Sequence, residues 1–217
     1  MIDGTIRGGR NPERLYLIDD PTLGVERTCL GEGLLVRSIK RYEYAARHVA
    51  QGDVVADCAC GSGYGSQILK AAGASRVVGI EADPVTVEYA RRHYGDEHVT
   101  FDCQDINHLA LPPSSFDVVA IIETIEHIKD GRGFLSRVYG LLRPGGRVVI
   151  STPLALRSGP NEANPYHLHE YTRQDFERLL KDIFDAADFF IPTDEDMPLA
   201  LTDGHTVGLV FGVGFKT

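Results

Sequence analysis

Two carboxylates and an imidazole that could act together chemically lie within five residues of one another. If this segment is helical, Glu123, Glu126 and His127 occupy positions i, i+3 and i+4 and share one face. Such a group forms either a hydrogen-bonded cluster or a set of ligands for a divalent cation. A polar segment further along the chain adds His167 and His169. In an open parallel sheet, both segments would lie at the carboxyl ends of the strands, where ligands bind.

A glycine-rich loop after the first predicted strand indicates a ligand that approaches the backbone closely. It contains Gly61 and Gly63 in the spacing G-x-G-x-G, and the next helix would offer its N-terminal amides. This spacing differs from the G-x-G-x-x-G that seats the pyrophosphate of a dinucleotide, which disfavours a nicotinamide dehydrogenase. Asp57, four positions before Gly61, would repel a pyrophosphate and instead suits a ligand with a cationic amino acid end.

Acidic residues after the second and third predicted strands supply further contacts for this ligand. Glu81 comes twenty positions after Gly61, where a carboxylate can accept both hydroxyls of a ribose. Asp105 can accept a hydrogen bond from an exocyclic amine, and Ile106 can pack on a purine face. We expect these side chains to line one pocket together with Asp57 and the loop glycines. A ligand with an amino acid end, a ribose and an adenine is S-adenosylmethionine (SAM).

These motifs make the sequence resemble the class I SAM-dependent methyltransferases. The matching segments, in chain order, are VVADCACGSGYGS (54–66), VVGIEAD (77–83), CQDI (103–106), FDVVAIIETIEHI (116–128) and LLRPGGRVVISTP (141–153). The resemblance covers roughly residues 34–182 and implies that the cofactor-binding residues are Tyr42, Asp57, Ala59, Gly61, Gly63, Tyr64, Glu81, Ala82, Asp105, Ile106 and Glu123. The helix with Arg41 and Tyr42 is similar to one that covers the methionine end of SAM, so either side chain could contact its carboxylate.

The acidic and histidine residues resemble the ExxEH motif and distant histidine of metal-dependent small-RNA 2′-O-methyltransferases, where His167 matches the distant histidine. That resemblance implies Glu123, Glu126, His127 and His167 as ligands of Mg²⁺, Mn²⁺, Fe²⁺ or Zn²⁺. A metal-free site would instead use His127 or His167 as a general base, with Glu126 beside them. A purely structural cluster is the third interpretation. The ExxEH string also recurs in methyltransferases of quinone and natural-product pathways.

The elements that must position these residues alternate between short apolar strands and amphipathic helices. The pattern predicts helices over 33–50, 64–72, 84–94, 130–142 and 172–182, and strands over 53–59, 76–81, 99–103, 116–122, 147–152, 186–191 and 206–215. We therefore predict an α/β, Rossmann-like fold with a mostly parallel sheet of seven strands and helices on both faces. The last two strands have no helix between them and are expected to form an antiparallel C-terminal pair. The polar segment 153–171 is predicted to be an acceptor-site loop.

Length and composition limit the classes of protein that fit. The chain has 217 residues, for which we predict an irregular N-terminal segment (1–32) and one SAM-binding domain (33–217). Its net charge of −9 argues against general nucleic-acid binding and against binding to anionic membranes. No stretch approaches the length of a membrane-spanning helix, and the four cysteines lack metal or disulfide spacing. We expect a cytoplasmic protein, whose oligomeric state the sequence does not define.

The expected function is SAM-dependent methylation of a hydroxyl on a small polar metabolite, either sugar-like or a secondary metabolite. An oxygen acceptor is favoured because the predicted site carries several acid–base groups. The segment NPYHLHEYT (164–172) also resembles enzymes that methylate sugars, glycans or secondary metabolites. The alternatives are N-methylation of a small molecule, metal-dependent RNA 2′-O-methylation, and SAM binding without methyl transfer.

Overall fold

The computed structural model describes residues 14–28, 32–191, 199–200 and 206–217. The helices and strands are α1 Glu32–Ala46, β1 Val54–Cys58, α2 Tyr64–Ala71, β2 Arg76–Glu81, α3 Pro84–Tyr94, β3 Val99–Cys103, β4 Phe116–Ile122, α4 Gly131–Leu141, β5 Leu142–Leu154, α5 Arg173–Lys181, β6 Ala186–Ile191, β7 Leu199–Ala200 and β8 Gly208–Phe215. Short 3₁₀ turns occur at Pro21–Leu23, Ile106–His108 and Ile125–His127. The alternation of strands and helices predicted from the sequence is therefore observed.

The strands form one sheet in the order β3-β2-β1-β4-β5-β8-β6-β7. The first five strands in this order pair in parallel, whereas β8 pairs antiparallel with both β5 and β6. The prediction of a mostly parallel sheet that ends in an antiparallel C-terminal pair is confirmed for seven strands. The sequence did not indicate the eighth strand, β7, which has two residues and pairs only with β6.

Helices cover both faces of the sheet, as predicted. In β1, Val55 packs in the cluster that contains side chains of α1, α2 and α3, while Ala56 packs in the cluster of α4 and α5. Val118 and Val119 of β4 divide between the same two clusters. Side chains of a strand alternate between the two faces, so central strands buried on both faces are apolar at most positions.

Strand β5 begins earlier than predicted, before the Pro-Gly-Gly sequence rather than after it. Leu142 pairs with Phe116 and Arg147 pairs with Val118, so three residues of β4 face six of β5. Gly145 has a φ of 80°, a conformation that glycine adopts without steric cost. The turn is thus absorbed as an irregularity inside the strand.

The described part of the predicted N-terminal segment, residues 14–28, contains one 3₁₀ turn and packs against α3. Residues 1–13 and 29–31 of that predicted segment lie outside the described residues. Glu32, its last predicted residue, is the first residue of α1. Among the helices that the structure describes, none is long and apolar enough to cross a membrane.

Candidate active site

A cavity of about 300 Å³ opens at the carboxyl ends of β1, β2 and β4. This volume lies at the lower end of the range for small-molecule sites. The lining residues come from the N-terminal segment, α1, the glycine-rich loop and the ends of β2 and β4 with the turns after β3 and β4: Arg14, Leu15, Ser38, Arg41, Tyr42, Ala59, Cys60, Gly61, Ser62, Tyr64, Glu81, Ala82, Ile106, Ile122, Glu123, Thr124 and His127. The topological switch between β1 and β4 is where open α/β sheets bind ligands.

Eight of the eleven predicted cofactor residues line this cavity: Tyr42, Ala59, Gly61, Tyr64, Glu81, Ala82, Ile106 and Glu123. The expectation that Asp57, Gly63 and Asp105 also line it is not met. Asp57 is fully buried beneath the loop, and Asp105 is exposed. Gly63, which precedes the first residue of α2, packs against the Phe101 side chain of β3. The Asp105 carboxylate accepts hydrogen bonds from the backbone and side chain of Asn107, because it caps a 3₁₀ turn.

The Asp57 carboxylate instead fixes the aromatic wall of the cavity. It accepts hydrogen bonds from the Tyr42 hydroxyl (3.2 Å) and the Ser66 hydroxyl (2.7 Å). Burial raises the pKa of Asp57 to about 6, although both hydrogen bonds lower it. The Tyr42 ring lies directly on Gly65, where an added Cβ would come within 2.2 Å of the ring. Gly65 is therefore needed for close packing of helix on helix.

Arg41 and Glu123 form the polar end of the cavity. Arg41 Nη2 lies 3.3 Å from Glu123 Oε2, and Glu123 Oε1 accepts a hydrogen bond from the Ser151 hydroxyl. Arg41 Nε is buried and has no hydrogen-bond partner among the described residues. A guanidinium and a carboxylate side by side suit the two charges of an amino acid. Sequence reasoning left the choice between Arg41 and Tyr42 open, and both line the cavity.

The predicted Glu/His cluster forms from three of its four members. Ligand atoms of Glu126, His127 and His167 lie within 4.8 Å of one another, and the two imidazole rings meet edge to face at 5.1 Å. Glu123 lies outside this group in the structure, because the 3₁₀ turn begins only at Ile125 and Glu123 has a φ of 48°. Its carboxylate contacts Ser151 and Arg41 instead.

Each histidine of the cluster is oriented through its Nδ1 atom. His127 Nδ1 lies 2.8 Å from the Tyr166 carbonyl oxygen, and His167 Nδ1 lies 2.5 Å from Glu170 Oε1. Both partners accept hydrogen bonds, so each neutral ring carries its proton on Nδ1 and its basic lone pair on Nε2. Burial alone would raise the pKa of Glu170, but hydrogen bonds from His167 and Asn161 hold it below the usual range.

Glu126 is the buried carboxyl group of the cluster. It accepts a hydrogen bond from the Thr152 hydroxyl at 2.9 Å, and only 1% of its surface is exposed. Burial, and then the charge of Glu123, raise the pKa of Glu126 well above its usual range. A bound cation would favour the ionised form, so this group could act either as a proton carrier or as a ligand.

Several lining residues were absent from the predicted cofactor set. Cys60 and Ser62 belong to the glycine-rich loop, so their position in the motif was a signal for them. Arg14 and Leu15 come from the N-terminal segment, where no pattern in the sequence indicated contact with a site.

Comparison with known proteins agrees with this architecture. A family model described as a methyltransferase domain matches residues 56–150. A probable SAM-dependent methyltransferase of Mycolicibacterium smegmatis is 34% identical over 143 residues, which cover 64% of this chain and 54% of the relative. A mitochondrial ubiquinone biosynthesis O-methyltransferase of Schizosaccharomyces pombe is 31% identical over 113 residues, covering 50% and 41%. The chain thus spans about half the length of the curated relatives it matches.

Solved structures show the same fold. A methyltransferase in complex with the Haloferax volcanii Trm112 activator has a TM-score of 0.67 at 21% identity, covering 85% of this chain and 92% of that one. A SAM-dependent methyltransferase from Mesorhizobium loti has a TM-score of 0.60 at 20% identity, covering 80% and 96%. These structures show the fold, and the family match assigns a methyltransferase domain to residues 56–150, in agreement with the resemblance seen in the sequence.

Replacing Ala59 by glycine should stabilise the protein. Ala59 has a φ of 59°, a left-handed conformation that costs a residue with a Cβ atom free energy and costs glycine almost none. We expect Ala59→Gly to raise the free energy of unfolding by about 0.5–1 kcal/mol in urea titrations. Ala56→Gly, inside β1, is the matched control and should lower it. An equal decrease of the free energy of unfolding in both variants would contradict backbone strain at Ala59.

The buried Asp57 carboxyl should make stability depend on pH. Because its folded-state pKa of about 6 exceeds the ordinary aspartate pKa of 3.8, the folded state keeps a proton that the unfolded state loses between these values. Its contribution to stability is therefore present below pH 3.8 and lost as pH rises through about 6. The free energy of unfolding of the wild type should therefore fall between pH 4 and pH 7 in urea titrations. In Asp57→Asn this fall should be smaller by roughly 1–3 kcal/mol. The surface variant Asp182→Asn is the control, and its free energy of unfolding should fall with pH as in the wild type. An unchanged fall in Asp57→Asn would contradict the role of the Asp57 carboxyl.

Proposed function

We propose that the protein transfers the methyl group of SAM to a hydroxyl group of a small polar metabolite. The observation that carries this proposal is the position of His127, which lines the cavity and also belongs to the cluster with Glu126 and His167. The similarity to ubiquinone biosynthesis O-methyltransferases supports oxygen as the acceptor atom. A sugar-like compound or a secondary metabolite is the proposed acceptor class, because the groups that segment 153–171 brings to the Glu/His cluster are polar: the Tyr166 carbonyl, His167 and Glu170.

The polarity of the cavity gives SAM one orientation in this proposal. Glu81 would accept the ribose hydroxyls, and Ile106 would pack on the adenine. The amino acid end would lie at Arg41 and Glu123, where opposite charges meet the carboxylate and the ammonium group. The sulfonium then lies between these ends, with its methyl group toward His127.

Methyl transfer is an in-line displacement at the sulfonium methyl carbon. The acceptor oxygen forms a bond to that carbon while the carbon–sulfur bond breaks, and the electron pair stays on sulfur as the neutral thioether. The hydroxyl proton must leave, and His127 Nε2 would take it, with the ring held by the Tyr166 carbonyl. The protein otherwise contributes alignment and the exclusion of water.

A divalent cation at Glu126, His127 and His167 is a second way to activate the hydroxyl. Metal-ligating histidines usually donate their other N–H to a carbonyl or carboxylate, as both histidines do here. Two imidazoles and one carboxylate fit Fe²⁺, Zn²⁺ or Mn²⁺, and Mg²⁺ less well. Such an ion would lower the pKa of a bound hydroxyl.

One set of rate measurements separates these possibilities. Formation of S-adenosylhomocysteine (SAH) is followed with a panel of hydroxylated acceptors and a parallel panel of amines. With His127 as the base, His127→Ala lowers kcat about 10²–10⁴-fold and removes the lower limb of its pH profile, and chelator has no effect. With a metal, chelator abolishes turnover and one of the four ions restores it.

The control for these measurements is His98→Ala, which changes an exposed histidine before β3 and should leave the rate unchanged. Turnover with amines but with no hydroxylated compound would contradict the proposal. Full activity of His127→Ala in the presence of chelator would assign the cluster a structural role.

A further inference from the structure

Residues 14–28 form a closed loop, which we call the N-terminal hairpin. Tyr16 and Thr28 are joined by two hydrogen bonds, from Tyr16 N to Thr28 Oγ1 (2.8 Å) and from Thr28 N to the Tyr16 carbonyl (2.9 Å). Asp20 and Val25 form an antiparallel bridge nearer the tip, with two backbone hydrogen bonds of 2.9 and 3.0 Å. The hairpin is therefore held together by its own contacts.

Buried aromatic and polar contacts dock this hairpin on α3. The Tyr16 hydroxyl lies 2.6 Å from Thr86 Oγ1, and the Tyr16 ring meets the Tyr89 ring edge-on at 4.9 Å. The Tyr89 hydroxyl accepts a hydrogen bond from Ile18 N and donates one to the Ile18 carbonyl. Tyr89 and Val25 are buried in the same small cluster. One α3 side chain thus clamps the hairpin backbone.

The first residues of the hairpin reach the cavity at Glu81. Arg14 Nη2 lies 2.6 Å from Glu81 Oε1, and the Ser62 hydroxyl of the glycine-rich loop donates to the Leu15 carbonyl. Arg14 and Leu15 both line the cavity. Glu81 Oε1 also accepts a hydrogen bond from Asp83 N at 2.8 Å, so the contacts from Arg14 and from Asp83 both reach the same oxygen. The carboxylate is therefore held by one oxygen.

We propose that the N-terminal hairpin is a cap on the adenosine end of the cofactor site and that Arg14 is its positioning residue. By holding Glu81 Oε1, Arg14 fixes the carboxylate so that Oε2 is presented to the ribose hydroxyls. The ion pair joins two partly buried groups, with 19% and 6% of the side chains exposed, so solvent screens it only in part. This inference rests on the proposed placement of SAM and is independent of the acceptor.

Calorimetric binding of SAH to the full chain, without any acceptor, tests the cap. Arg14→Ala should weaken SAH binding by about tenfold, because Glu81 loses its fixed orientation. Arg14→Lys keeps the charge without the planar fork and should give an intermediate affinity. Thermal unfolding without SAH verifies that each variant is folded. Unchanged affinity in Arg14→Ala would overturn the role of Arg14.

A double-mutant cycle distinguishes positioning from general support of the fold. If Arg14 acts through Glu81, Arg14→Ala should have no further effect on SAH affinity in a Glu81→Gln background. Equal losses in both backgrounds would overturn the positioning role.

The docking of the hairpin is tested by Tyr89→Phe, which changes no residue of the cavity lining. Loss of the two Ile18 hydrogen bonds should weaken SAH binding by about threefold to tenfold, through faster dissociation. Tyr139→Phe is the matched control, since its hydroxyl contacts Asp185 away from the hairpin, and should bind SAH normally. Normal binding by Tyr89→Phe would overturn the cap.

The same measurements separate failure of the cap from failure of the proposed cofactor site. If the wild type fails to bind SAH, the proposed cofactor site is wrong. If Glu81→Gln weakens SAH binding and the Arg14 and Tyr89 variants do not, the cap alone is wrong.

Discussion

The parallel pairing of β1 with β4 is the constraint on which the site depends. Its register aligns Cys58 with Ile121, so the two strands end side by side at one edge of the sheet. Just beyond these ends, Ala59 and Glu123 both adopt left-handed conformations, which residues with a Cβ atom adopt at a cost. The glycine-rich loop and the turn with His127 are thereby brought to the same crevice. Strain of this kind persists only where the surrounding structure holds it.

Hydrogen bonds from neighbouring groups fix the polar side chains around the crevice. Asp57 holds Tyr42, Thr152 holds Glu126, and Glu170 holds His167. The first two contacts join residues from different segments of the chain, so the folded sheet sets their geometry, whereas His167 and Glu170 lie three residues apart in the same loop. A side chain fixed in this way loses little freedom when a ligand binds. This arrangement suits a reaction in which alignment of nucleophile and methyl group supplies much of the rate.

Hydrophobic periodicity was sufficient to predict the strands and helices of the central sheet. It was not sufficient where pairing between distant segments decides whether a strand forms. The bounds of β2, α3, β3 and β4 match the prediction, while β7, with two residues, is too short to have a pattern. In the site, motif residues such as Glu81 and Ile106 reached the cavity. Contacts across distant segments, above all that of Arg14, leave no mark on local spacing. The sequence predicts that Asp57 contacts the ligand. In the structure Asp57 is buried beneath Tyr42, and local spacing does not show this because the burial depends on how α1 packs.

A crystal structure of the protein with bound SAH would test the central claim most directly. We expect adenine beside Ile106, the ribose hydroxyls on Glu81, the amino acid end at Arg41, and the sulfur atom facing His127. The sulfur position matters most, because it fixes where the methyl group of SAM would point. SAH bound outside this cavity, or inside it with its sulfur directed away from His127, would contradict the account.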